Sequence, residues 1–303
     1  MGHDHTHLCH EPSPGFEKQF FIGILLNTGF IVLEVLYGFF ANSLALLADA
    51  AHNASDVIGL FLAWIAVFLS KKRPSSRYTY GLRSSTILAA LANAIILVIA
   101  CLSIAWDAFF RFTNPQPVSG MTVMVIAGIG VLINGVTAWL FMSGRKTDLN
   151  IEGAFLHMAS DALVSLGVLV TGGLILFTKW YWVDPALSIL ISILILVGTW
   201  NLFKNSFNLA LHGTPEHIKT QSVRTYLESQ PGVKNVHDLH IWAMSTSESA
   251  LSVHLIMEDG HPGDLFLHNL AHGLKDQFRI DHSTIQIEVG DGPECSLIPD
   301  HVV

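Results

Sequence analysis

The chain has 303 residues, 51% of them hydrophobic and only 13% charged, with a mean hydropathy of +0.48. Soluble domains carry about 25% charged residues, so this balance excludes an ordinary soluble protein and puts much of the chain in lipid. The formal net charge of −8 is unevenly spread: residues 206–303 hold thirteen acidic and five basic residues, which accounts for all of it, argues against nucleic acid as a partner and suits cations.

The N-terminus, MGHDHTHLCHEPSPG, is polar and His-rich. It lacks the basic start and apolar core of a signal peptide, so the first membrane helix is expected to stay in the mature protein. Three cysteines, Cys9, Cys101 and Cys295, are too few for a disulfide framework and fit a reducing compartment.

Six apolar runs follow, near 19–40, 44–70, 84–110, 119–142, 152–177 and 183–203. Each is long enough to cross a bilayer, which takes about 20 residues. Asn42-Ser43 marks a very short first turn, and Lys71-Lys72-Arg73-Pro74 ends the second run. Asn114-Pro115-Gln116-Pro117 ends the third, Ser143-Gly144-Arg145-Lys146 the fourth, and Trp180-Tyr181-Trp182 opens the sixth as an aromatic interface belt. With both termini inside, the inner loops receive Lys18, Lys71, Lys72, Arg73, Arg77, Arg83, Arg145, Lys146 and Lys204, and the outer loops only Arg111 and Lys179. That asymmetry places both termini in the cytoplasm.

After Lys204 the pattern changes. Residues 215–230 read as an amphipathic helix stopped by Pro231-Gly232, and 235–244 and 249–257 as strands. A helix near 262–279 and a strand at 283–289 complete an α-β-β-α-β order, the mark of a small α+β domain. The expected organisation is a His-rich tail at 1–17, a six-helix transmembrane domain at 18–205 and a cytoplasmic α+β domain at 206–303.

The ionisable groups inside the apolar runs carry the chemistry. Of sixteen histidines, four lie in the first ten residues, ten in the tail domain, and only His52 and His157 in between. Each precedes an aspartate, Asp56 or Asp161, by four residues, so each pair leaves one helix face one turn apart. A carboxylate in hydrocarbon costs at least a few kcal/mol, and polar groups kept there usually serve a site or bond a neighbouring helix. Two matched pairs, with no other membrane histidine, favour one site of four ligands.

Two imidazoles and two carboxylates suit tetrahedral zinc. The absence of thiolates suits release, because protons displace histidine from a metal near physiological pH. Zinc entering from the cytoplasm would expel protons, and protons arriving from outside would expel zinc, which implies zinc/proton antiport. Asp49, three residues before His52, is expected to support the ligands from behind. Asp107 and Asp184 are expected to reach the interface, and Glu34 either bonds a helix or lines the path.

In the tail domain His237, His254, His282 and Glu288 sit on or beside the strands. They are either solvated or convergent on one face, His254 and Glu288 sharing the polar parity of their strands. His212, His217, His261, His268, His272 and His301 read mostly as surface residues. The HDHTHLCH segment has donors that could capture a metal.

Several motifs together resemble the cation diffusion facilitator family, close to its bacterial zinc-efflux branch, across essentially the whole chain. They are LLADAAHNASD, YTYGLRSSTILAALANA, FLHMASD, VHDLHIW and HSTIQIE. The resemblance implies a homodimer that exports zinc by alternating access, driven by proton uptake, with a metallochaperone-like cytoplasmic domain. It implies a transport site of His52, Asp56, His157 and Asp161, and regulatory zinc at His237, His254, His282 and Glu288. It also implies a second tail site from His7, Cys9, His10 and Cys295, a sparser version of the family's pattern. Zinc is thus expected as substrate and regulatory ligand, with no other cofactor.

The loop SKKRPSSRYTYGLRSS has no His, Asp or Glu, so no metal site is expected there. The short SGRKTDLN loop, in place of a long His-rich one, favours a bacterial protein of the inner membrane. An intramembrane zinc hydrolase would need His-Glu-x-x-His on a helix, which is absent. A membrane-bound zinc sensor would need no ligands in lipid, and a bis-histidine haem protein would leave two buried aspartates unexplained. A non-enzymatic transporter is the expected reading.

Overall fold

The computed structural model describes residues 17–142, 149–258 and 260–289; His7, Cys9, His10, Cys295 and His301 lie outside them. Six long helices come first: α1 (Glu17–Ala41), α2 (Leu44–Ser70), α3 (Ser85–Thr113), α4 (Gly120–Phe141), α5 (Leu149–Thr178) and α6 (Val183–Ala210). All six are long and apolar enough to cross a bilayer. They end at the breaks legible in the sequence, and Asn42 (φ 55°) and Lys179 (φ 62°) take the left-handed backbone of tight reversals. Then follow α7 (Thr220–Glu228), β1 (Asn235–Ala243), β2 (Ser249–Ile256), α8 (Asp264–Phe278) and β3 (Ile280–Glu288), in the expected α-β-β-α-β order.

The chain divides into two compact units, one within Met1–Leu60 and Ile95–Thr199, the other within Phe61–Ala94 and Trp200–Val303. The first has the exterior of a protein solvated by lipid. Phe39, Phe40, Phe177 and Val197 are exposed, whereas Glu34, Asp49, Asn134, Asp161 and Ser165 are buried. Its apolar core gathers Phe30, Leu46, Val123, Ile126, Val168 and Ile175.

Without a hydrophobic drive between helices in lipid, close backbone approach supplies the attraction. At Gly120 a Cβ would lie 2.7 Å from the Gly172 carbonyl oxygen, and at Gly172 it would lie 2.6 Å from the Met124 nitrogen. α4 and α5 therefore touch backbone to backbone. Gly130 makes the same allowance, since a Cβ there would sit 2.5 Å from the Phe30 ring and 2.9 Å from Ser165 Oγ.

Asp184 departs from expectation. It lies in the first turn of α6, as the sequence indicates, yet it is wholly buried instead of reaching the interface. Its Oδ2 accepts the Leu44 N–H (2.8 Å), its Oδ1 accepts the Ala45 N–H (3.4 Å), and the Ser43 hydroxyl donates to it. A carboxylate from another helix thus satisfies the free amides that open α2, and favours the positive end of its dipole.

In the second unit the sheet has order β1-β2-β3, with β1 antiparallel and β3 parallel to β2. Val253, Leu255, Leu270 and Leu274 lead its core. The α2–α3 loop belongs to this unit: Arg83 pairs with Glu248 at 2.8 Å, and Ser84 Oγ donates to the Met244 carbonyl at 3.2 Å. The Thr246 N–H donates to Thr86 Oγ1 at 3.1 Å.

Gly172→Val forces α4 and α5 apart and is expected to destabilise the protein by about 1–3 kcal/mol or more. Gly173→Ala, where a Cβ meets nothing within 4 Å, is the control. Thermal unfolding of both in detergent checks this; equal midpoints would refute the close-packing role.

Candidate metal centres

α2 and α5 carry the two His–Asp pairs, and the first unit brings all four side chains together. His157 Nε2 lies 3.2 Å from Asp56 Oδ2 and 3.6 Å from Asp161 Oδ2. His52 Nε2 lies 3.5 Å from Asp161 Oδ1 and 4.0 Å from Asp56 Oδ2. Each imidazole thus borders both carboxylates, its own helix's and the other's. Ligand atoms about 2.0–2.1 Å from a zinc ion at tetrahedral angles stand about 3.3 Å apart, so these four His–Asp edges have nearly the required length. Asp56 Oδ2 is a buried oxygen faced by both histidine Nε2 atoms, at 3.2 and 4.0 Å, an arrangement that suits an acceptor for a cation.

The set is nonetheless splayed. The two rings are 6.1 Å apart between centroids. No three of the four present single donor atoms all within 4.8 Å of one another. Asp56, His157 and Asp161 line a cleft of about 280 Å³ with Asn27, Asn53 and Thr137. Asp161 is the most enclosed of the four, its side chain 3% exposed against 36% for Asp56.

Behind them, Asp49 accepts a hydrogen bond from Ser165 Oγ (3.0 Å), and Glu34 accepts one from Asn53 Nδ2 (3.0 Å). The alternatives the sequence left for Glu34 resolve toward bonding a neighbouring helix.

The tail set divides. His237 and His254 are direct cross-strand partners on β1 and β2, their rings 5.0 Å apart. Glu288 bridges them: its Oε2 is 3.0 Å from His237 Nε2, and its Oε1 is 2.9 Å from His254 Nδ1. One donor atom from each lies within 4.8 Å of the others, a closeness that, among the described residues, only this trio reaches. His282 does not join it. β3 begins at Ile280, earlier than the sequence indicated, and its register pairs His282 with Ala250, four residues along β2 from His254. At about 3.3 Å per residue that is about 13 Å away. The His282 ring instead meets Tyr80 edge to face, centroids 5.6 Å apart. His212, His217, His261, His268 and His272 are exposed, as expected of surface residues.

Asp238, which strand alternation does not mark as part of this site, belongs to it as well. It sits at φ 51° in a β-bulge between His237 and His240, a conformation that Asp tolerates better than most residues. From there its Oδ2 reaches His254 Nε2 at 3.4 Å while its Oδ1 contacts His240 Nε2 at 2.8 Å. A carboxylate on one ring nitrogen leaves the other, Nδ1, to point at Glu288 and His237. The signal was the HDLH spacing, which alternation assigns to opposite faces until the bulge is known.

Two family profiles match the chain: the cation efflux transmembrane domain over residues 20–209, and the cation efflux protein cytoplasmic domain over residues 215–289. The chain is 38% identical to a cadmium, cobalt and zinc/H(+)-K(+) antiporter of Bacillus subtilis, over 95% of this chain and 92% of the relative. It is 37% identical to the zinc transporter ZitB of Escherichia coli, over 98% of this chain and 96% of the relative. It is 36% identical to the metal cation efflux system protein CzcD of Cupriavidus metallidurans, over 95% of this chain and 90% of the relative.

Asp238→Asn keeps an acceptor and tolerates the left-handed backbone, so it is expected to be nearly neutral for stability. Asp238→Ala loses both histidine contacts and adds left-handed strain, together about 1–3 kcal/mol. Hydrogen exchange of the β1 and β2 amides in the full chain reads the difference; equal protection in both variants would refute this role for Asp238.

Proposed function

Because the chain belongs to the cation efflux family, we propose that it is a zinc exporter working as a zinc/proton antiporter, moving Zn²⁺ out of the cytoplasm by alternating access. The observation that carries this reading is the convergence of His52, Asp56, His157 and Asp161 in the membrane-spanning unit. In this reading they are the transport ligands. Two carboxylates match a divalent charge, and two imidazoles give zinc preference over harder cations. Histidine's ordinary pKa of about 6.5 lets protons compete for the same nitrogens. Cation binding draws the splayed set together, and its loss lets the set reopen. The B. subtilis relative, whose name includes protons, supports the exchange.

The proposed orientation has both termini in the cytoplasm of a bacterial inner membrane, as the Lys and Arg distribution supports. The protein works as a homodimer through its cytoplasmic domain, with membrane lipid as its other surroundings and no nucleic acid. It is a transporter and not an enzyme; no HExxH segment is present in the sequence to supply a hydrolase's ligands and base. Regulatory zinc binds His237, His254 and Glu288, without His282. His7, Cys9, His10 and Cys295 remain the proposed donors of a further tail site.

Asp161→Ala is expected to lower zinc uptake into inverted vesicles by more than about tenfold, since it removes the most enclosed ligand. Undiminished uptake would remove Asp161 from the site. In proteoliposomes, an imposed proton gradient should drive zinc flux; flux indifferent to the gradient would refute the coupling.

Glu288→Gln leaves the two imidazoles without the carboxylate that bridges them. Equilibrium dialysis of the purified chain should then show one tail zinc bound at least about tenfold more weakly. An unchanged isotherm would show that the trio holds no zinc.

A further inference from the structure

Four buried polar side chains from three helices share the first unit with the candidate transport ligands: Asn53 and Asp49 on α2, Glu34 on α1 and Ser165 on α5. Glu34, Asp49 and Ser165 have no exposed surface, and Asn53 is 6% exposed. Asn53 Nδ2 donates to Glu34 Oε2 (3.0 Å), and Ser165 Oγ donates to Asp49 Oδ2 (3.0 Å). Each carboxyl group therefore has one oxygen satisfied by a neutral donor. The other oxygens, Glu34 Oε1 and Asp49 Oδ1, are buried and meet no donor at all. Yet the two carboxyl groups lie within hydrogen-bonding reach of each other.

Two ionised carboxylates cannot rest in contact in this setting. Both are acceptors only, both carry the same sign, and no basic side chain pairs with either among the described residues. One proton shared by the two carboxyl groups removes the conflict. It supplies the missing donor, leaves the pair a single negative charge and holds the two helices together. The other titratable groups acting on the pair are Asp161 on α5 and His52 on α2. A divalent cation bound beside Asp161 would bring positive charge close to the pair and work against a proton held there.

We propose that Glu34 and Asp49 form a proton-binding site distinct from the four transport ligands, and that a cation arriving at those ligands expels its proton. The proton passes from the carboxyl oxygens to water by way of the cleft that Asn53 lines beside Asp56 and Asp161. No bond other than O–H is made or broken. One proton leaves as one Zn²⁺ binds, and its return favours release of the ion. The release step rests on the zinc reading of the transport site; the proton site itself rests on the carboxyl geometry alone.

The test uses the full chain in nanodiscs, with Glu34→Gln and Asp49→Asn made singly and together. Infrared spectra without metal should show, at neutral pH, a protonated-carboxyl carbonyl band that the double variant lacks. A spectrum unchanged by the double substitution overturns the proton site whatever the fate of zinc. Protons released per zinc bound, read in weak buffer with labelled zinc, should fall by one in either single variant, so misfolding of one leaves the other to decide. Equal counts in wild type and variant overturn the coupled release. If Asp161→Ala binds zinc as wild type does, the zinc reading has failed, and the infrared band still decides the proton site.

Discussion

A carboxylate in hydrocarbon has to be answered locally, and Asp161 is the place where this chain answers it. Its side chain is almost closed off, with His52 Nε2 against one oxygen and His157 Nε2 against the other. Those contacts tie α2 to α5 through polar chemistry instead of apolar packing. Each helix supplies one histidine and one aspartate, so neither helix satisfies its own aspartate alone. The relative placement of α2 and α5 is thereby fixed by the same atoms that make the site.

That placement needs support on both sides. The glycine contact between α4 and α5 sets the depth of α5, because any side chain at Gly120 or Gly172 would strike backbone. The cap that Asp184 places on Leu44 and Ala45 pins the start of α2, two turns before His52. Between these anchors lies the Glu34–Asp49 pair, bonded to Asn53 and Ser165. Buried polar groups in contact with one another have few alternative arrangements, so this layer is stiff where the ligand layer in front of it is splayed.

How much of this was legible in the sequence depended on whether one element or two fixed the outcome. The six helices, the tail order and the i,i+4 pairs were legible because length and period within one segment determine them. The meeting of His52, Asp56, His157 and Asp161 was legible because two near-identical motifs in lipid had few places to go. His282 was misplaced because strand register depends on where β3 starts, and starting at Ile280 puts His282 beside Ala250 instead of near His254. Asp238 was missed because a bulge resets alternation. Asp184 was read as interfacial because a position near a helix end cannot reveal that another helix's open amides lie there. Glu34 and Asp49 are on different helices, and only packing could show that their carboxyl groups meet.

The two candidate centres differ in a way that bears on what each can do. In the tail, His237, His254 and Glu288 are already gathered, held by cross-strand pairing, with Asp238 behind His254. A cation there finds its ligands in place, and leaving would cost the full set of bonds with little structural relief. In the membrane-spanning unit the four groups stand apart, so a cation bound by all of them would draw two helices together, and part of its binding energy would go into that closure. A site that closes only around its ion is weaker than its ligand list suggests and reopens when the ion or its charge is replaced. Occupancy at a preformed site follows concentration; occupancy at a splayed one is coupled to helix position. The first property suits a site that reports metal concentration, and the second suits a site that moves a metal.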